Sequence, residues 1–134
     1  MELIVILVIV GILAVTAIPR FFDRQIFDSR GFHDETLSLL RYAQKAAVAQ
    51  RRTVCVAVGA TGVALTISNA APPSVACGPA LALPTPPHGG TGLSPAPSSF
   101  KFLASGGTDQ VANVVLAVSG SSGISVDAVT GYVY

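Results

Sequence analysis

The chain has 134 residues, of which 51% are hydrophobic and 11% charged, with a formal net charge of +1. That length holds about one domain plus an appendage. Near-neutrality argues against the basic face of a nucleic-acid-binding domain, and the wealth of aliphatics argues against disorder. The charge is also lopsided: from Thr53 to Tyr134 only Lys101, Asp109 and Asp127 are charged. An exterior of Ser, Thr, Gly, Ala and Pro suits a subunit packed against its own copies, or one covered by sugar, better than a free cytosolic monomer.

The first element is an uncharged run, Leu3–Ile18. As a helix it is about 24 Å long at 1.5 Å per residue, slightly short of a ~30 Å hydrocarbon core. A secretory signal peptide carries basic residues first and a small-residue cleavage site last. Here Glu2 comes first, and Arg20 and Arg24 follow the run. A buried core helix, apolar on every face, would need a larger protein around it. The acid is informative, because a carboxylate in an apolar bundle is costly unless paired. At a helix amino terminus it also meets the positive end of the macrodipole.

The stretch "MELIVILVIVGILAVTAIPRF", Met1 to Phe21, resembles the amino-terminal segment of type IV pilins and type II secretion pseudopilins. The matching features are Glu2, the aliphatic block behind it, Gly11, and the exit Ala17-Ile18-Pro19-Arg20-Phe21. The family carries a basic leader ending in glycine, then a first mature residue a few positions ahead of the glutamate. Neither precedes Glu2, so the sequence is expected to begin inside the mature segment. The resemblance implies assembly roles for Glu2, Gly11 and Pro19. Glu2 would pair with the amino terminus of a neighbouring subunit, a test of registry. Gly11–Pro19 would unwind in the filament: Pro19 removes a helical hydrogen bond, and Gly11 costs about 1 kcal/mol relative to Ala.

Beyond Pro19 an amphipathic helix is expected over residues 20–52. Leu37, Leu40, Ala43, Ala47 and Val48 fall near helical spacing, and Tyr42 reads as core. Asp34 and Glu35 at the front and Arg51 and Arg52 at the back suit the dipole. A break or bend is expected within Phe27–His33, which contains Gly31 and a candidate cap at Ser29 or Asp34. Arg41, Lys45, Arg51 and Arg52 read as a solvated face rather than a DNA patch. His33, beside Asp34, receives no catalytic role.

Residues 53–134 read as a β-rich head. "TVCVAV" and "VALTIS" flank "GATG" as a hairpin. "VAC" is a candidate short strand that would bring Cys77 to Cys55. Residues 79–99, dense in Pro and Gly, read as a long surface loop. Its stretch from Pro84 through Gly90 to Ser99 is expected to face outward. Strands follow at "SFKFL", "NVVLAV", "GISV" and "YVY", with a turn at Gly131 requiring positive φ. This ending, and the junction "LRYAQKAAVAQRRTVCVAV", resemble the heads of GspH-like and MshC-like minor pilins. Cys55 and Cys77 are the only cysteines. They are expected to form a bridge, because an exported chain matures where disulfides persist; two buried free thiols are the alternative.

No catalytic grouping is evident: no Ser/His/Asp set, no paired carboxylates, and "HGGTG" at His88–Gly92 lacks a G-x-S-x-G partner. No enzyme activity, metal or cofactor is expected. The expected fold is α+β: a long amino-terminal helix, with a hydrophobic stem (1–19) and an amphipathic half (20–52), packed on an antiparallel β-sheet head (53–134) as in pilins. The expected function is a structural subunit of a type IV pilus-like extracellular filament, with roles in adhesion or motility. The alternative is a minor pseudopilin of a type II secretion system. The expected partners are copies of the chain in a helical filament, other pilins or pseudopilins, and the inner membrane before assembly. No specific nucleic acid is expected.

Overall fold

In the computed structural model, the backbone is described for residues 2–134, and side chains for residues 2–15, 27–94 and 96–134. The element order is α1 (Glu2–Gln50), β1 (Val54–Gly59), β2 (Gly62–Ile67), β3 (Leu93–Ala96), β4 (Ser99–Phe102), β5 (Val114–Val118) and β6 (Ile124–Val126).

Helix α1 opens with Glu2 in its first turn. Toward its end Phe32, Thr36, Leu40, Ala43 and Ala47 are buried at steps of three and four, joined by Ala46. This stripe lies against sheet strands β1, β2 and β4, and its alanines bring the helix close to the sheet. Thr36 is tolerated there because its hydroxyl donates to the Phe32 carbonyl at 2.8 Å. The helix closes with two reaching amides. Arg51 N–H donates to Val48 O at 3.3 Å and Arg52 N–H to Ala47 O at 3.1 Å. Arg51 takes φ +50°, so the end is a Schellman motif with arginine where glycine is usual. The left-handed conformation costs a residue with a Cβ about 1–2 kcal/mol.

The strands form two antiparallel three-stranded sheets, ordered β2-β1-β4 and β3-β5-β6. In the first, Val56 faces Leu65 on one side and Phe100 on the other. In the second, Leu116 faces Ile124 in register. Alternation places Val54, Val56, Val58, Leu65, Phe100, Phe102, Leu116, Ile124 and Val126 in one shared core. The sheets are stitched by Val58 N–H to Ser98 O at 2.8 Å and Leu93 N–H to Ala60 O at 3.3 Å. The tail pairs back onto β6, with Ser125 and Tyr134 exchanging both backbone bonds at 2.8 and 2.9 Å. The turn before it has Gly131 at φ +66°, where an added Cβ would lie 2.0 Å from the Gly106 carbonyl oxygen.

This architecture corrects the expected fold. The head is two small sheets, not one, because the Pro- and Gly-rich chain between β2 and β4 allows only the four-residue edge strand β3. Nor is a long hydrophobic stem described. Helical side chains fall in two stretches, 2–15 and 27–50, and only the second packs on the head. The apolar part of the first, residues 3–15, spans about 20 Å. Among the described residues no helix is long and apolar enough to cross a membrane. The side chain of Pro19 lies outside the described residues, but the backbone of residues 11–19 is helical in this single chain, whereas the unwinding was expected in the assembled filament. The break expected in Phe27–His33 is absent: helical backbone passes through Gly31. "VAC" is not a strand; the edge of β2 is met instead by Ala80, opposite Thr66.

Candidate assembly surface

Eleven aliphatic side chains, Leu3 through Val10 with Ile12, Leu13 and Val15, are each 52–72% exposed. They occupy consecutive positions, so every face of this helical segment is apolar. Among the described residues these side chains stay more than half exposed. Completing their burial would contribute on the order of 10 kcal/mol, at 1.5–3 kcal/mol per fully buried side chain, before association costs. A continuous apolar surface of this size marks an interaction site. Gly11 lies within it, and a Cβ there would meet nothing within 4 Å. Glu2 sits at the segment's amino-terminal end, where the helix dipole favours an anion.

Cys55 and Cys77 are bonded, with Cα atoms 5.8 Å apart. The bond explains an irregularity of β1. Alternation would expose Cys55 between buried Val54 and Val56, yet all three are buried, because the Cys77 segment lies over it.

The segment Pro84–Ser99 is less free than its composition suggests. Pro84 is exposed, but Gly90 is half-buried, and Ser99 is the exposed first residue of β4. Leu93 is buried. Three contacts tie the preceding loop to its surroundings. Tyr42 Oη donates to Ala82 O at 2.8 Å, Gly90 N–H to Thr61 O at 3.0 Å, and the His88 amide to the Glu35 carboxylate. Between this loop, α1 and Ser119–Gly120 runs an open groove, floored by Phe32 and Leu39.

At the other end of the head, Arg41 donates Nε–H and Nη2–H to the Val133 carbonyl at 3.2 and 3.1 Å. Gln44 reaches Thr130 O at 2.9 Å. Asp127 Oδ1 accepts from the Thr130 amide and hydroxyl, each at 2.8 Å, and from the Val129 amide at 3.1 Å. The Thr130 bonds, helped by the Val129 amide, hold its carboxyl below the ordinary value near 3.8, against a small opposing effect of burial.

One grouping was invisible in sequence. Ser122 Oγ lies 3.4 Å from His33 Nε2, and His33 Nδ1 lies 3.0 Å from Asp34 Oδ1. These contacts bring a serine, a histidine and an aspartate together, and Ser122 and His33 are 89 residues apart in the chain. Among the described residues no group of three or more His, Cys, Asp or Glu could hold a metal ion.

No family model, no curated protein and no solved structure matches this chain.

Proposed function

We propose that this chain is a structural subunit of an extracellular type IV pilus-like filament, assembling through its apolar amino-terminal helical segment. The observation that carries the reading is the ring of eleven exposed aliphatics on every face of residues 3–15. A surface of that kind is covered in use, and copies of the same segment are apolar partners of matching length. Glu2 at its end gives the bundle a register: a carboxylate among apolar helices is tolerated only where a neighbour supplies a positive group. The resemblance of Met1–Phe21 to pilin amino termini supports the same reading. So does the intramolecular bridge of Cys55 and Cys77, which suits a subunit that matures outside the reducing cytosol. The subunit waits at the inner membrane and ends in the filament, with the head outside.

The test is assembly in a producing strain that carries no other copy. Ile6→Glu places a charge inside the apolar bundle and abolishes filament yield, while the head keeps its disulfide and its circular dichroism. Glu2→Ala leaves the subunit folded and lowers the yield. Wild-type yield from Ile6→Glu overturns the proposal. Wild-type yield from Glu2→Ala removes the register role alone. Recovery of the fibre from the periplasm instead of the cell surface assigns the chain to a pseudopilus.

A further inference from the structure

We propose that Ser122 is a reactive hydroxyl that accepts the acyl group of activated esters, with His33 as its general base and Asp34 as the residue that positions the imidazole. The inference rests on the head alone and stands whether or not the chain forms filaments.

The three groups come from two elements that the fold clasps together. His33 and Asp34 are consecutive on α1. Ser122 lies in the short connection between β5 and β6, residues 119–123. The connection is held against the helix by a second contact, Ser29 Oγ donating to Gly120 O at 3.3 Å. His33 is largely covered, its side chain 15% exposed, whereas Ser122 is exposed. The base is therefore confined while the nucleophile remains reachable.

For a neutral imidazole the donors and acceptors admit one arrangement. An ionised carboxylate only accepts. Facing Asp34 Oδ1 at 3.0 Å, His33 Nδ1 must carry the proton. In the neutral imidazole, Nε2 is then a bare acceptor, and Ser122 Oγ–H is its donor across 3.4 Å. Hydrogen bonds of this kind are long at rest and tighten as charge develops. Orientation of the base by a third group is the logic that makes an ordinary hydroxyl nucleophilic.

The reaction balances without any further reagent. Ser122 Oγ attacks the ester carbonyl carbon as its proton passes to His33 Nε2. The C–O bond to the leaving alcohol then breaks, and that oxygen takes the electron pair and the proton from His33. The products are the O-acyl serine and the free alcohol, and the imidazole returns to its neutral form. Asp34 keeps its charge throughout and stabilises the imidazolium that forms between the two steps.

The full chain treated with p-nitrophenyl acetate, followed by peptide mapping, tests the proposal. Acetylation is expected at Ser122 at least tenfold faster than at Ser119 or Ser121, which share the connection but, among the described residues, make no hydrogen bond to His33. Ser122→Ala removes the adduct from that peptide. His33→Ala slows it about a hundredfold, within the 10²–10⁴ range of general-base catalysis, and free imidazole in the buffer restores part of the rate. Asp34→Asn, an exposed substitution that keeps the side chain's shape, leaves the fold intact and lowers the rate by about tenfold. Equal acetylation of Ser119, Ser121 and Ser122 overturns the proposal. An unchanged rate in a folded Asp34→Asn chain removes the positioning role and with it the triad.

Discussion

Gly90→Ala adds one methyl group where the structure has no room for it. A Cβ at this position would lie 2.4, 2.6 and 2.8 Å from Cγ, Cδ2 and Cδ1 of Phe32, so the glycine lies flat against the ring. The ring cannot retreat, since Phe32 is only 5% exposed and sits on the buried stripe of α1. The loop cannot shift freely either, because the Gly90 amide is bonded to Thr61 O at 3.0 Å. Overpacking of this kind costs about 1–3 kcal/mol. In urea, where m is about 1–3 kcal/mol/M for small proteins, that lowers the midpoint by about 1 M with m unchanged. Phe32→Ala alone should cost about 3–5 kcal/mol through the cavity it leaves. The decisive measurement is the double variant. With the ring gone, the new methyl fills vacated space, so Gly90→Ala/Phe32→Ala should be no less stable than Phe32→Ala. The coupling energy should then be about 1–3 kcal/mol in favour of the pair. Additive losses would show that the glycine is needed for some reason other than the ring and would refute the packing argument.

The disulfide should carry a separate share of stability. Closing a loop of 22 residues is worth about 3 kcal/mol in the chain-entropy model, so Cys55→Ser/Cys77→Ser should unfold well below the oxidised protein in a calorimetric scan. A loss under 1 kcal/mol would mean that the unfolded chain is already constrained there. Asp127→Ala should be destabilising at neutral pH and progressively less so in acid. The folded carboxyl titrates below its ordinary value, so its stabilisation is present above about pH 4 and is lost as pH falls through the depressed value. Urea midpoints of both proteins from pH 7 to pH 2 should converge, and a constant gap would rule out the carboxylate's charge as the cause. A short tag inserted after exposed Pro84 should leave the urea midpoint nearly unchanged, whereas the same tag at Gly90 should lower it. Equal effects would mean that the Phe32 contact does not fix the loop.

The parts legible in sequence are those written in local pattern. The hairpin of β1 and β2, the alternation of β4, β5 and β6, and the positive φ at Gly131 each depend on a few adjacent residues. The helical periodicity found Leu40, Ala43 and Ala47. It missed Phe32 and Thr36, because Gly31 read as a breaker; packing of the Phe32 ring against Gly90 outweighs the ~1 kcal/mol that one glycine costs a helix. The division into two sheets was hidden because β3 contains Pro95, and a proline argues against a strand unless the strand is an edge. In the loop, proline content suggested freedom, but its tethers to Tyr42, Glu35 and Thr61 come from distant positions. The exposed apolar segment was plain from composition. The approach of Ser122 to His33 was not, since no motif spacing links a short turn to a helix position 89 residues earlier in the chain.

The crossing of the Cys55–Cys77 bond over β1 also alters how the head closes on itself. Strand β1 must find β4, and Val54 and Phe102 are partners 48 residues apart. Once the bridge exists, the chain runs from Cys55 directly to Cys77, and only 25 residues separate that point from Phe102. Loop-closure entropy grows as (3/2)RT ln n, so nearly halving the path lowers the closure cost by about 0.6 kcal/mol. Where that closure limits the rate, the oxidised chain completes the β2-β1-β4 sheet roughly threefold faster than the reduced one. A cross-link positioned between a local hairpin and its distant third strand thus shortens the search as well as strengthening the result. A head oxidised early would spend less time with the edge of β1 unpaired and open to other chains.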